Sequence, residues 1–431
     1  MRPVLDLLRH EGRARIFFLA LAQSALGTGA AYVALLLVAL DRFDSPWAIG
    51  LVLLADVVPA MVLGPVFGAA ADRFSRRTCM VAADVVRAVA FGGIVLVDGF
   101  ALTFVLALFA GIGTGLFNPA AVASLPSLVD KRRLSAATSL FGAITDFGFT
   151  AGPAAAAAVL LVGGPETILA VNSVSFLVSG LFLAALRFGE APAREDVATA
   201  RPSLFREARD GLVATAGMTG LRLILVTSGA ALLFGAIFNV GQPLLVRDVL
   251  DGGDAGFAIL VTIYGLGFIT GSLSGSRGGD LPALKRRFLA GALLMALGFA
   301  ASGLAPSVAA AGVAFLAAGY GNGLLLIYER LLIQAIVPDR LAGRVFGIRD
   351  AITAWAFASG FMIGPLLLSA VGTRPLIIAG GVCGLVVWLV SVWGLRRVWR
   401  REGPAGLAGG AGAKFARDRG SGEHSADLVG R

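Results

Sequence analysis

The sequence predicts an all-α membrane protein of twelve transmembrane helices, arranged as two pseudo-symmetric six-helix bundles. Three observations carry this. First, 57% of the 431 residues are hydrophobic and only 15% are charged, with a mean hydropathy of +0.84; soluble domains run to about 45–50% apolar and about 25% charged. Second, the apolar residues come in blocks of about 20, the length that crosses a bilayer core of roughly 30 Å. Third, the blocks form two sets of six that repeat a Gly-x-x-x-Gly-Pro signature at matching positions. A soluble enzyme, a disordered chain and a disulfide scaffold are excluded. Cys79 and Cys383 both lie in apolar runs and are too few to make a disulfide framework.

Read with a window of about 19 residues, the spans fall at 16–40, 47–70, 78–98, 100–118, 139–162, 167–186, 222–246, 256–276, 288–305, 308–328, 347–371 and 375–396. The first is too long for a signal-peptide apolar region of about 7–15 residues and reads as a retained helix. Transmembrane β-strands would alternate over about ten residues, a pattern these runs do not follow. Charge sets the orientation. Of the 36 Lys and Arg residues, 32 precede span 1, follow an even-numbered span or follow span 12. Arg42, Arg247 and Arg374 lie on the other side, and Arg87 lies within span 3. The positive-inside rule then predicts a multi-pass protein of the plasma membrane with both termini cytoplasmic. The net charge of +9 reports topology and calls for no nucleic-acid partner.

Four regions follow: an N-terminal bundle (1–186), a cytoplasmic linker (187–221), a C-terminal bundle (222–398) and a tail (399–431). The linker opens on a polar stretch from Gly189 to Pro202, and Ser203 to Thr215 reads as an amphipathic helix on the membrane interface. The tail, rich in Gly and Ala with mixed charges, reads as disordered.

The repeat is specific. Gly148, Gly152 and Pro153 in the fifth span recur 212 residues later as Gly360, Gly364 and Pro365 in the eleventh. Asp72, with Arg76 and Arg77 after it, recurs 208 residues later as Asp280, with Lys285 and Arg286. Duplicated halves are typical of secondary transporters, whose sites lie near the midplane between the repeats. Proline removes a backbone donor and bends a helix, and glycines permit close packing, so these residues are candidate pivots for rocking one half against the other.

At this point the residues carry a resemblance. Gly68-Ala-Ala-Ala-Asp72-Arg73-Phe-Ser-Arg76-Arg77 resembles the loop signature of the major facilitator superfamily. Phe117-Asn-Pro119-Ala, Leu125-Pro126-Ser-Leu-Val129, Val337-Pro338-Asp339-Arg340 and Gly343-Arg344-Val345-Phe346 are similar to its macrolide-efflux and enterobactin-exporter branch. The resemblance covers about residues 15–398. It implies that Asp72 meets the start of the eleventh span near Arg349 and holds the cytoplasmic side closed, with Gly68, Arg73, Arg76 and Arg77 completing the gating loop. There are departures. The fourth span lacks the Arg that drug–proton antiporters of the superfamily often carry, the first span offers Gln23 but no acid, and Leu281 and Pro282 degrade the second copy of the loop.

The chemistry points to a carrier. None of Lys131, Lys285 and Lys414 lies in a phosphate-binding loop. His10 and His424 sit in the terminal segments, and no metal-ligand or Ser–His pattern occurs. No enzyme activity, cofactor or metal is expected. Ionisable residues within a span are costly and mark function by default. Asp56 lies nine residues past Trp47, roughly 13 Å deep at 1.5 Å per residue. Asp146 lies roughly 12 Å into the fifth span. Asp146, then Asp56, then Glu329 are the proton-coupling candidates. Asp84 and Arg87, three apart, read as an intrahelical ion pair. Gln23, Asn118, Asn239, Tyr264 and Asn322 read either as cavity lining or as interhelical hydrogen-bonding groups. The expectation is a monomeric, proton-coupled exporter of amphipathic or hydrophobic small molecules, drug-, macrolide- or siderophore-like, whose partners are its substrate, protons and membrane lipid. Uptake of a nutrient or siderophore, or a non-transporting receptor on the same scaffold, are the alternatives.

Overall fold

The structure, a computed structural model, describes residues 2–63, 66–68, 73–186 and 217–402, and contains no strand among them. A short helix α1 (Arg2–His10) precedes the spans, so the first predicted span is α2 and the twelfth is α13. The N-terminal half comprises α2 (Gly12–Phe43), α3 (Pro46–Val62), α4 (Arg76–Leu96), α5 (Phe100–Leu128), α6 (Leu134–Leu160) and α7 (Pro165–Ala185). The C-terminal half comprises α8 (Thr219–Leu244), α9 (Gly253–Leu273), α10 (Leu281–Leu304), α11 (Val308–Ile336), α12 (Asp339–Val371) and α13 (Thr373–Glu402). Among the described residues, eleven helices are long and apolar enough to cross a membrane, and a shorter apolar helix, Pro46–Ala60, occupies the second position.

That second helix is the main departure from the expected spans. It was expected over 47–70, yet α3 ends at Val62 after 17 residues. Pro59 interrupts the hydrogen-bond ladder from within. The last turn closes with the Leu63 N–H on the Pro59 carbonyl at 3.0 Å. Elsewhere helices overrun their spans: α5 and α11 reach 29 residues and α12 reaches 33. Helix α13 continues to Glu402, into the segment read as tail. Residues 187–216, including the amphipathic helix expected from Ser203 to Thr215, lie outside the described residues, as do 403–431 and Asp72.

Helix α1 is docked rather than free. Leu7 is fully buried in a cluster with Phe17, Met80 and Phe117. Asp6 and Glu11 accept from the Arg133 guanidinium at 3.0 and 3.1 Å, pinning α1 to the start of α6.

The two halves use the same helix pairings. The first helix of each packs on the fifth and the sixth (α2 on α6 and α7; α8 on α12 and α13), the third on the fourth and the sixth, and the second on the fourth. The duplicated glycine signature explains the first of these. A Cβ on Gly148 would come 2.5 Å from the Ala25 carbonyl oxygen of α2, and one on Gly152 2.5 Å from the Ala30 nitrogen. In the other half, Gly360 meets Ala236 at 2.5 Å and Gly364 meets Val240 at 3.1 Å, both on α8. In both halves the motif seats the fifth helix on the first.

The halves meet through α6 against α9 and α3 against α12. At the end away from the termini they share one apolar core, with Leu36, Leu40, Ile49 and Ile94 from one half and Phe257, Ala311 and Leu368 from the other. At the end carrying the termini the cores are separate: Phe17, Met80 and Leu125 belong to one half, and Phe288, Leu395, Met218 and Val345 to the other. The halves are therefore joined by a common apolar core at the far end and by none at the terminal end.

Candidate functional site: a cleft between the halves and a buried charge cluster

One face of α6 records where the cleft begins. Ser139, Ala143, Asp146 and Thr150 fall on one stripe. Thr150 is buried against α9, with its hydroxyl 3.4 Å from the Gly265 carbonyl. One turn towards the terminal end Asp146 is exposed, as are Ala143 and Ser139 beyond it. Asp146 thus stands where the two halves part. The charge acting on it is Arg330, exposed on α11 of the opposite half. No ion pair joins the two among the described residues, so the opposite charges stand apart on the two halves.

Deeper in the N-terminal half lies a second group. On α4, Arg87 is 4% exposed and Asp84 is fully buried. The Arg87 guanidinium donates to the Asp84 carboxylate, as the spacing predicted. Its carbon also sits 4.4 Å from the Phe117 ring centroid and 4.2 Å from that of Phe176, sandwiched between aromatic faces. Asp56 on α3 interacts electrostatically with the same guanidinium. Three glycines on α5 make room for this. A Cβ on Gly111 would lie 2.3 Å from the Asp56 carbonyl oxygen, and one on Gly113 2.7 Å from Arg87 Cγ. Gly115 does the same for Ala60 of α3, at 2.8 Å. The fourth span has no arginine of its own, and Arg87 of the third span packs on its Gly113.

From Asp56 the polar groups continue across the interface. Tyr32 on α2 lies within electrostatic range of both Asp56 and Tyr264, and Tyr264 of α9 accepts from Asn322 Nδ2 of α11 at 2.9 Å. Tyr264 and Asn322, candidates from the sequence, are therefore joined at the centre of the molecule.

The remaining candidates divide. Glu329 is 1% exposed and accepts from Arg349 Nε of α12 at 3.2 Å, while Arg349 also donates to Asp350 at 3.0 Å. Arg349, expected to face Asp72, already has two carboxylate partners. Gln23 commits its amide to the Ser175 carbonyl of α7 at 2.9 Å, and Asn239 accepts from Gln242 on its own helix at 3.2 Å. Asn118 is exposed. Of the gating loop, Arg77 donates to the Ala184 carbonyl at the end of α7, Arg73 is exposed, and Arg76 opens α4. Among the described residues, Gly68 has no neighbour within 4 Å of a would-be Cβ. Glu329 and Arg330 were read from the sequence as long side chains reaching the interface at the end of their span; sequence reasoning passed over Tyr32, the nearness of Arg330 to Asp146 and that of Asp56 to Arg87. The available signal was Gly111 and Gly115, one turn apart on the face of α5 towards α3, with Gly113 on the face towards α4, since glycines in an apolar span mark a close approach.

A carrier needs a cleft between halves that meet on limited contacts, and polar groups at the seam. Both are present. Comparison with known proteins agrees. The chain is 26% identical to the uncharacterised MFS-type transporter YfiS of Bacillus subtilis, over 86% of this chain and 89% of that one. It is 26% identical to BacE of Bacillus subtilis, named as a bacilysin exporter, over 81% and 87% of the two chains. It is 21% identical to macrolide efflux protein A of Streptococcus pyogenes, over 81% and 88%. Among solved structures, the nucleoside transporter NupG superposes with a TM-score of 0.72 at 12% identity, over 89% of this chain and 99% of that one. A bacterial homologue of the human lysosomal transporter Spinster superposes with a TM-score of 0.67 at 15% identity, over 89% and 97%. Residues 8–399 match the transmembrane secretion effector family, and the chain belongs to that family, within the major facilitator superfamily of transporters.

Proposed function

We propose that this transporter is a monomeric, proton-coupled exporter of amphipathic or hydrophobic small molecules, working by alternating access with both termini in the cytoplasm. The observation that carries the reading is the asymmetry of the seam, one shared core at the far end and separate cores at the terminal end. Such a molecule has two ways to close. With the basic loops on the terminal side, positive-inside placement opens the cleft to the cytoplasm, where an exporter loads. The likeness to BacE, named as a bacilysin exporter, and to macrolide efflux protein A supports export over uptake. The cleft edge supports the substrate class, because Asp146 and Arg330 are sparse charges on helices that are otherwise mostly apolar.

The test is transport in proteoliposomes. Vesicles holding the purified chain in one orientation are given an imposed pH gradient and radiolabelled erythromycin or a lipophilic dye. Movement from the side of the termini to the far side, driven by protons moving the other way, is the expected result. Gradient-driven movement towards the side of the termini would assign uptake instead, and dependence on a sodium gradient alone would remove the proton.

A further inference from the structure

We infer that the seam between α10 and α13, at the end carrying the termini, binds the headgroup of an anionic phospholipid through Lys285, Arg286, Arg396 and Arg397. The site depends on neither the direction nor the driving ion of transport.

The two helices bring these residues to one level. Lys285 and Arg286 stand just before the ninth span, 288–305, and Arg396 and Arg397 stand where the twelfth, 375–396, ends. Leu284 and Leu395, the chain neighbours of Lys285 and Arg396, are buried in one core cluster, which fixes the two helix ends side by side. Lys285 also shares a stripe of α10 with Ala292 and Ala296. Ala296 in turn meets Gly384 of α13, its Cβ 3.0 Å from a would-be Cβ there. The lysine therefore lies on the flank of α10 that packs against α13, and Arg396 acts on it electrostatically.

The patch continues faces that look outward from the bundle. On α10, Arg286 is exposed in line with Ala290, Leu297 and Leu304, which are exposed as well. On α13, Val386, Leu389, Val390 and Trp393 are exposed along one face, and that face ends in exposed Arg396 and Arg397. Apolar faces of this kind border acyl chains, so the basic residues at their ends lie among headgroups. Trp393 is 64% exposed, as suits an indole at the membrane–water boundary. The Arg397 guanidinium carbon sits 4.9 Å from its ring centroid, which holds that charge at the same depth.

Positive-inside placement explains the sign of these residues but not their convergence on one seam. Nor does the seam supply its own counter-charge. Among the described residues, Arg286, Arg396 and Arg397 make no ion pair. Asp280, the nearest acid on α10, caps the helix by accepting from the Ala283 N–H at 3.0 Å. Arg287 is turned away, donating to the Gly278 carbonyl and lying 5.5 Å from the Tyr328 ring centroid. Like charges on adjoining helices repel. A phosphate placed between them relieves the repulsion and accepts charge-assisted hydrogen bonds. A phosphodiester that carries acyl chains matches both the charge and the apolar faces beside it, whereas a soluble anion matches only the charge.

The test is native mass spectrometry of the full purified chain, released from detergent with phosphatidylglycerol or phosphatidylcholine titrated in. The wild type is expected to retain phosphatidylglycerol in preference to phosphatidylcholine. Lys285→Gln combined with Arg396→Gln should lower that preference about fivefold to thirtyfold, since each basic residue near a charged bilayer surface contributes about fivefold. Lys285→Arg combined with Arg396→Lys keeps both charges and should keep the preference, which separates loss of the site from loss of the fold. Arg15→Gln combined with Arg132→Gln removes two exposed charges from the same end of the other half and should also leave the preference intact. An unchanged preference in the first double variant, or an equal loss in the last, overturns the site. Displacement of the lipid by an equal concentration of soluble glycerol phosphate overturns the lipid and assigns the patch to a free anion.

Discussion

Arg247, at the far end of the C-terminal half, donates to Asp41, at the far end of the N-terminal half. Asp41 lies on α2 and Arg247 on the single π-helical turn, Leu245–Val249, that ends the seventh span. The guanidinium also holds Asp254 at 3.1 Å. This latch closes the end where the halves share a core. At the other end Asp146 and Arg330 repeat its logic, with an acid from the first half and an arginine from the second, but stand apart.

Breaking the far-end latch should open that end. The pair is partly exposed, so about 0–1 kcal/mol is at stake, which shifts a two-state equilibrium by up to about fivefold. Spin labels at Asp44 and Asp251, in the two far-end loops, should show a larger long-distance population in Arg247→Gln than in wild type. An unchanged distance distribution would mean that the shared apolar core alone seals this end.

The orientation is checked by labelling. Cys383 is exposed and Cys79 buried, so both are first replaced by serine. Single cysteines at Ser45, Asp98 and Asp251 should react with a membrane-impermeant maleimide from outside intact cells, and one at Arg132 only after permeabilisation. The reverse pattern would turn the molecule over and with it the direction of the cleft.

The glycine signature predicts a graded loss of stability. A side chain at Gly152 meets α2 backbone at 2.5 Å, whereas one at Gly364 meets a valine methyl at 3.1 Å. Overpacking of this kind costs about 1–3 kcal/mol. Thermal unfolding in detergent should therefore fall clearly for Gly152→Ala and less for Gly364→Ala, which can push Val240 aside. Equal losses would mean that the helix seats relax alike.

Glu329 and Arg349 form the buried ion pair between α11 and α12. Removing one partner of a buried pair costs about 3–5 kcal/mol. Glu329→Gln should approach that figure. Arg349→Gln should cost a similar amount, and the double variant should cost less than the sum of the two singles, because contacting residues are non-additive in a double-mutant cycle. Asp350 cannot substitute for Glu329, being exposed. Additive losses in unfolding would show that the pair is not coupled.

How much of this was legible depended on distance along the chain. Long apolar runs announce themselves, so the spans were readable. The nine residues of α1 are too short and too polar for a membrane window, and its docking rests on Leu7, Asp6 and Glu11 finding partners elsewhere. Asp84 and Arg87 were read correctly as a pair because a helix fixes their spacing. Asp56 was not joined to them, since helix-to-helix register is set by which faces lack side chains, here the glycines of α5. The same holds for Asp41 and Arg247, separated by 206 positions. Pairings within a helix are written in the sequence at short range. Those between halves emerge only when both bundles are folded.

The cleft pair gives the last prediction. Asp146 and Arg330 face each other without contact while the terminal end is open, and closing that end brings α6 towards α11. If they form a latch on closure, each stabilises the closed state and neither stabilises the open one. Asp146→Asn and Arg330→Gln should then both bias the molecule towards the open cleft, the opposite sense to Arg247→Gln. Spin labels at Ser139 and Gln334, exposed on the two sides of the cleft, report this directly. The expected shift is about twofold to fivefold in population for either single variant, and the double variant should add little, since both remove one interaction. Combining Arg247→Gln with Asp146→Asn should restore a distribution near wild type, because the two ends are weakened together. A charge swap, Asp146→Arg with Arg330→Asp, should recover closure if attraction across the cleft is the cause. Should the swap stay open while Asp146→Asn closes normally, Asp146 serves the substrate and not the gate.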